Sequence, residues 1–265
     1  MHPMLNMAVK AARSAGQIIM RHLNQLDRLT VESKGRKDFV TEVDRMAENE
    51  IIRILHAAYP NHGFLGEESG VQAGDDYVWV IDPLDGTTNF LHGLPHFGVS
   101  IALKCKDRLE QAVVLDPTRD ELFTASRGNG AQLNDRRIRV SRVTDMEYAL
   151  LGAGFPFRSH QYMDAWINTL KEFMLSTSGI RRPGSASLDL AYVACGRFDG
   201  FWEIGLKPWD MAAGALLVQE AGGFVSDFAG DQGYLESGNI LAGNQKIYAE
   251  MLRRLRPHLP PELLR

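Results

Sequence analysis

Two cysteines in 265 residues, Cys105 and Cys195, are too few and too far apart for a disulfide framework or a zinc site. They read as small buried hydrophobes in a protein of a reducing compartment. Long apolar runs are also missing. The first 23 residues carry Lys10, Arg13 and Arg21 within an amphipathic pattern, which is neither a signal peptide nor a membrane span. A cytoplasmic protein is therefore expected. A large excess of one charge sign is missing too. Against 33 acidic residues stand 29 basic ones, for a net −4 and a pI of about 6.1, so no global field draws the chain to nucleic acid. Internal repeats and low-complexity tracts are absent. With 45% hydrophobic residues and a mean hydropathy of −0.20, the chain can bury a sizeable core.

Periodicity divides what remains. Apolar residues at helical spacing predict helices over about 4–23 and 41–59, the second stopped by Pro60-Asn61-His62-Gly63. Short apolar or alternating runs then predict strands near 78–81, 98–103, 109–115, 121–125 and 137–140. After Thr144 helices alternate with strands: helices near 163–174, 186–195, 209–221 and 245–255, strands near 149–152, 200–202, 224 and 240. A division near residue 145 suggests subdomains 1–145 and 146–265, with a site between them.

The chemistry concentrates in Trp79-Val-Ile-Asp82-Pro83-Leu84-Asp85-Gly86-Thr87-Thr88. An apolar strand running into two aspartates fixes negative charge on a rigid frame. Paired carboxylates repel unless a cation lies between them. The segment has no lysine or arginine, so a hard, oxygen-loving ion such as Mg²⁺ is the natural filling. The backbone N–H groups of Gly86 and Thr87 offer an anion site at the same turn. Metal plus anion reads as phosphate chemistry. Two further acidic segments fit: Gly66-Glu67-Glu68-Ser69 after a short apolar stretch, and Pro208-Trp209-Asp210 opening an Ala-rich helix. His92 and His96 read as loop or core histidines.

Taken together and in this order, these segments resemble the inositol monophosphatase family of Mg²⁺-dependent phosphatases. Within it the nearest likeness is to the bacterial SuhB type. The resemblance runs from Lys34-Gly-Arg-Lys-Asp38 through Asp44 to Glu220-Ala-Gly-Gly223. It implies an α/β fold of the α+β kind, layered α-β-α-β-α. It implies a first metal held by Glu67, Asp82 and the carbonyl of Leu84, and a second held by Asp82, Asp85 and Asp210. A third ion would lean on Glu67, and lithium would inhibit. Thr87 paired with Asp44 would activate water. Gly184, Ser185, Ala186 and Glu203, with the ligands Asp85 and Asp210, would face the substrate, and Lys34 would lie near the site. Glu68 is expected behind Glu67, because neighbours on a strand point to opposite faces.

The implied substrate is inositol 1-phosphate, since a carboxylate such as Glu203 accepts well from a polyol hydroxyl. Related sugar bisphosphatases and nucleotide phosphatases are the enzymatic alternative. The resemblance also implies a different kind of role, association with Nus factors and RNA polymerase in ribosomal RNA antitermination. The basic patches Arg136–Arg142 and Arg181-Arg182-Pro183 read first as solvated faces or subunit contacts. They lack the interleaved aromatics of a single-strand RNA binder, although a docking role for Arg181 and Arg182 stays open. Relatives often form dimers.

Overall fold

The computed structural model describes residues 2–23, 26, 31–35 and 38–264, with the backbone alone for 31–35 and 38–41. The chain opens with α1 (Pro3–Leu23), the hairpin β1 (Val31–Gly35) and β2 (Asp38–Thr41), and α2 (Glu42–Ala58). There follow β3 (Gly63–Gly66), β4 (Gly70–Gln72), β5 (Tyr77–Asp85), a short α3 (Thr87–Leu91), β6 (Gly98–Cys105), β7 (Arg108–Asp116), β8 (Glu121–Ser126), β9 (Gly130–Leu133) and β10 (Arg136–Arg137). The second part holds β11 (Leu150–Ala153), α4 (Met163–Ser176), β12 (Gly179–Arg181), α5 (Ala186–Ala194), β13 (Gly200–Glu203), α6 (Pro208–Glu220), β14 (Phe224–Ser226), α7 (Tyr234–Ser237), β15 (Ile240–Gly243) and α8 (Gln245–Leu255).

Two sheets result. The larger runs β10-β9-β8-β7-β6-β5-β3-β4 and is antiparallel except where β3 lies parallel to β5. The smaller runs β12-β11-β13-β15-β14, with β11 parallel to both its neighbours. Helices α1 and α2 cover one face of the large sheet through Leu5, Ala12, Ile19, Ile51 and Leu55. Helices α5 and α6 fill the space between the sheets. Helices α4 and α8 close the outer face of the small sheet over Trp166, Phe173 and Trp202. The layers are α-β-α-β-α, as expected.

Helix α6 shows why the middle layer holds. Met211 to Val218 are all buried, so the helix has no solvated stripe. A helix apolar all round is stable only when covered on every side, here by a sheet on each face.

The expected strand over 137–140 is cut to Arg136–Arg137, a two-residue edge pairing only with β9. Past it the chain leaves the sheet. Ile138 and Val140 still pack on the central core while Arg137 and Arg139 stay exposed, so the alternation outlasts the ladder. Cys105 and Cys195 are half-buried and unpaired, so they are less enclosed than expected. Among the described residues no helix is long and apolar enough to cross a membrane.

Candidate active site

Strand β5 does not stop at Ile81. It continues through Asp82-Pro83-Leu84 to Asp85, and its register against β6 slips between Asp82↔Ser100 and Asp85↔Gly98. Pro83 has no N–H to give the ladder, and a bulge is where a strand tolerates that loss. Asp82 is 1% exposed and its Oδ1 accepts the Leu84 N–H at 3.0 Å. Burial first, then the charges of Glu67, Asp85 and Asp210, hold its carboxyl well above the usual carboxylate range. Four acids from three parts of the chain thus share one field.

Gly86 turns the chain at φ 97°, and a Cβ there would lie 3.1 Å from His96 O and 3.2 Å from Gly184 O. Both the left-handed backbone and the close approach call for glycine. The Thr87 hydroxyl follows, 3.1 Å from Asp44 Oδ1 and 3.1 Å from the Leu84 carbonyl. One proton serves two acceptors there. Asp44 is buried at 1% in the first turn of α2, and Glu48 lies one turn on, on the same buried face. Glu48 accepts the N–H groups of Glu68 at 3.0 Å and Ser69 at 2.7 Å. It thereby fixes the turn that carries Glu67. Since β3 ends at Gly66, Glu67 and Glu68 diverge by turn geometry rather than by strand alternation. Glu67 lines the cavity and Glu68 does not.

The second part of the chain supplies the facing wall. Asp210 Oδ2 turns back to accept the Lys207 N–H at 2.7 Å, closing the first turn of α6. Asp85 Oδ2 accepts from Ser185 Oγ at 2.7 Å, Ser187 N at 2.7 Å and Ser187 Oγ at 2.6 Å, which mounts the start of α5 on β5. Asn89 Nδ2 donates to His96 O at 2.7 Å and Pro183 O at 2.9 Å, tying the Gly184-Ser185-Ala186 loop to α3. Glu203 is buried on β13, and a Cβ at Gly154 would stand 1.9 Å from its carboxylate. Glycine 154 is therefore the space Glu203 occupies. Burial, then the Asp210 charge, pushes the Glu203 carboxyl well up; burial, then the Asp85 charge, does the same to Asp189.

These groups line one cavity of about 590 Å³, walled on its apolar side by Phe155, Phe157 and Trp166. Arg182 lines it 4.6 Å above the Phe155 ring, while Arg181 is exposed and outside it. Arg158 stacks 4.6 Å over Phe157 and reaches 3.4 Å from Asp210 Oδ2 and 4.0 Å from Glu67 Oε1. The Lys34 side chain lies outside the described residues. His92 is exposed, and His96 is buried with Nε2 unpartnered, 3.9 Å from Asp189 Oδ1. Burial pushes His96 down and Asp189 up, so in both groups it works against the charged form.

Sequence reasoning missed Glu48, Asn89, Ser187 and Arg158. Only Glu48 left a signal, as an acid four residues after Asp44 on an apolar helix face. The donor set of Glu67, Asp82, Asp85, Asp210 and the Leu84 carbonyl is all oxygen, which suits a hard cation. Among the described residues no three side-chain ligands stand close enough to enclose an ion, because Asp85 and Asp210 are turned to protein donors.

The family model for the inositol monophosphatase family matches residues 1–259. The chain belongs to the inositol monophosphatase family. Membership makes it a phosphatase of a metal-dependent family. A Nus factor SuhB of Pseudomonas aeruginosa is 60% identical over the full length of both chains, and one of Escherichia coli is 53% identical over the full length of both. Among solved structures, the extragenic suppressor protein SuhB of Bartonella henselae superposes with a TM-score of 0.93 at 46% identity, covering 96% of this chain and 98% of that one. An inositol monophosphatase of Thermotoga maritima does so at 0.88 and 36%, covering 98% of each.

Proposed function

We propose that the protein hydrolyses inositol 1-phosphate with Mg²⁺ held by Glu67, Asp82, Leu84 O, Asp85 and Asp210. The observation that supports this most is the convergence of these four acids on one cavity beside the Thr87–Asp44 hydrogen bond. When bound, the metal would supply charge neutralisation, polarisation of the phosphoryl oxygens and acidification of water. The protein's own residues do the rest. Thr87 donates to Asp44, so its hydroxyl would accept a proton from the attacking water as its own proton passes to the Asp44 carboxylate. Asp44, buried behind it, fixes that orientation. The N–H groups of Gly86 and Thr87 open α3, where no intrahelical acceptor serves them, and hold phosphate oxygens. Glu203 accepts from ring hydroxyls, with Ser185 and Ala186 bounding the ring. Glu67 serves a third, weaker ion, and lithium inhibits by taking a Mg²⁺ position.

The test is phosphate release from inositol 1-phosphate across a Mg²⁺ titration, with Asp85→Asn in parallel. Metal-dependent turnover lost in the variant supports the assignment. A wild-type protein that binds Mg²⁺ but leaves this ester intact moves the activity to another phosphate ester.

A second reading rests on the full-length identity to proteins named Nus factor SuhB. We infer that this chain also joins a transcription complex containing Nus factors and RNA polymerase, as a homodimer or a monomer in exchange with one. Recovery of RNA polymerase subunits on the tagged protein from its own host, in amounts unchanged by Asp85→Asn, supports a role separate from catalysis. Absence of any such subunit removes it.

A further inference from the structure

The acid-rich segment of β5 carries no basic residue, yet the cluster is not without positive charge. Arg158 reaches it from the loop between β11 and α4, more than seventy residues away in sequence. Its guanidinium stands within ion-pair distance of two of the four carboxylates. These are Asp210, whose Oδ2 is 3.4 Å from Nη1, and Glu67, whose Oε1 is 4.0 Å from Nη2. Glu67 comes from the turn after β3 and Asp210 from the middle helix layer, so one side chain spans the two walls.

The geometry is that of a replaceable partner. Both separations exceed the 2.7–2.9 Å of a tight charge-assisted bond. The side chain is 23% exposed and leans on Phe157 at 4.6 Å, a contact that survives a small swing of the head group. A divalent ion near the same oxygens would attract them about twice as strongly as one guanidinium at equal distance, and would repel the guanidinium.

We propose that Arg158 is a built-in counter-cation of the cluster and that it competes with a divalent ion for Asp210 and Glu67. This rests on the metal-dependent reading above. Its consequence is a metal affinity set lower than the acids alone would give, so that occupancy follows the free concentration of the ion.

The experiment is calorimetric titration of Mg²⁺ into the full-length protein without substrate, repeated with Mn²⁺ by paramagnetic resonance. Wild type, Arg158→Gln and Arg158→Lys are compared, each checked for fold by circular dichroism. Arg158→Gln should bind the first ion about tenfold more tightly, because one competing charge is gone. Its chelator-treated form should melt below chelator-treated wild type, and its ion-saturated form should melt with ion-saturated wild type. Arg158→Lys keeps the charge without the forked donors and should fall between the two. It carries the test if the glutamine variant does not fold. Affinity in Arg158→Gln equal to or weaker than that of an ion-binding wild type overturns the inference alone. A wild type that binds neither ion overturns the metal reading and this inference with it.

Discussion

The two walls of the cavity are built in opposite ways. The acid wall is local: Asp82, Leu84, Asp85, Gly86 and Thr87 are consecutive or nearly so, on one bulged strand and the helix it feeds. The facing wall is assembled from Gly154, Phe155, Phe157, Arg158, Gly184 and Glu203, on two loops and a strand of the second part. The local wall fixes where charge lies. The assembled wall fixes what fits beside it. Most of the charge and most of the selectivity are thus carried by different structures, with Asp210 the acid that the second part adds, and the two are joined by the hydrogen bonds of Asp85 to Ser185 and Ser187 and of Asn89 to Pro183.

The strongest attack on this division is at the local wall. Asp85→Asn should lower kcat/KM by at least about a hundredfold, with circular dichroism unchanged, since it removes one metal charge and weakens the mount of α5. Near-wild-type turnover would sink the metal assignment. Thr87→Ala should lower kcat by about a hundredfold or more while leaving Mg²⁺ affinity within a few-fold, because the hydroxyl orients a proton transfer rather than an ion. An equal loss in Mg²⁺ affinity would make Thr87 a structural support for Leu84 O instead.

On the assembled wall the expected pattern reverses. Gly154→Ala places a methyl group against the Glu203 carboxylate, so it should raise KM for a polyol phosphate and cost about 1–3 kcal/mol of stability, with metal binding preserved. Denaturant titration together with Mg²⁺ calorimetry would show whether the two walls respond separately.

The smallest effect concerns pH. The Glu203 and Asp189 carboxyls are raised in the folded protein above their unfolded values. The folded state therefore holds more protons, and this contribution is fully present below the unfolded pKa and lost as pH rises through the folded one. Chelator-treated protein should lose melting temperature as pH climbs from the ordinary carboxylate range through those raised values. Glu203→Gln, which keeps the shape without the titration, should flatten that slope. An identical slope in the variant would assign the dependence to other groups.

How much of this was readable beforehand follows the same split. The acid wall was legible because its residues are contiguous and of a type that cannot be buried side by side without a reason. The strand end was misplaced at Ile81 because a proline and two aspartates look like a turn, whereas a bulge keeps them in the sheet. Arg158 was invisible because a lone arginine in a loop carries no sign of what folding will bring beside it. Ser187 and Asn89 were invisible for the same reason. Glu48 was visible in principle, since an acid on the apolar face of α2 has to be paid for by a partner. The divergence of Glu67 from Glu68 was foreseen, but turn geometry and not strand alternation produces it.

Helix α6 has a consequence for how the protein is made. The large sheet is complete once residue 137 has emerged from the ribosome, but of the two helices that cover its inner face α5 begins only at Ala186 and α6, which covers most of it, only at Pro208. During synthesis that face waits, apolar and bare, for a segment not yet translated, and the segment itself is apolar on every side. Truncated chains ending before Pro208 should bind hydrophobic dyes and aggregate, whereas the full chain should not. The order of the genetic message thus leaves this protein with a period of exposure that a folding helper would have to cover.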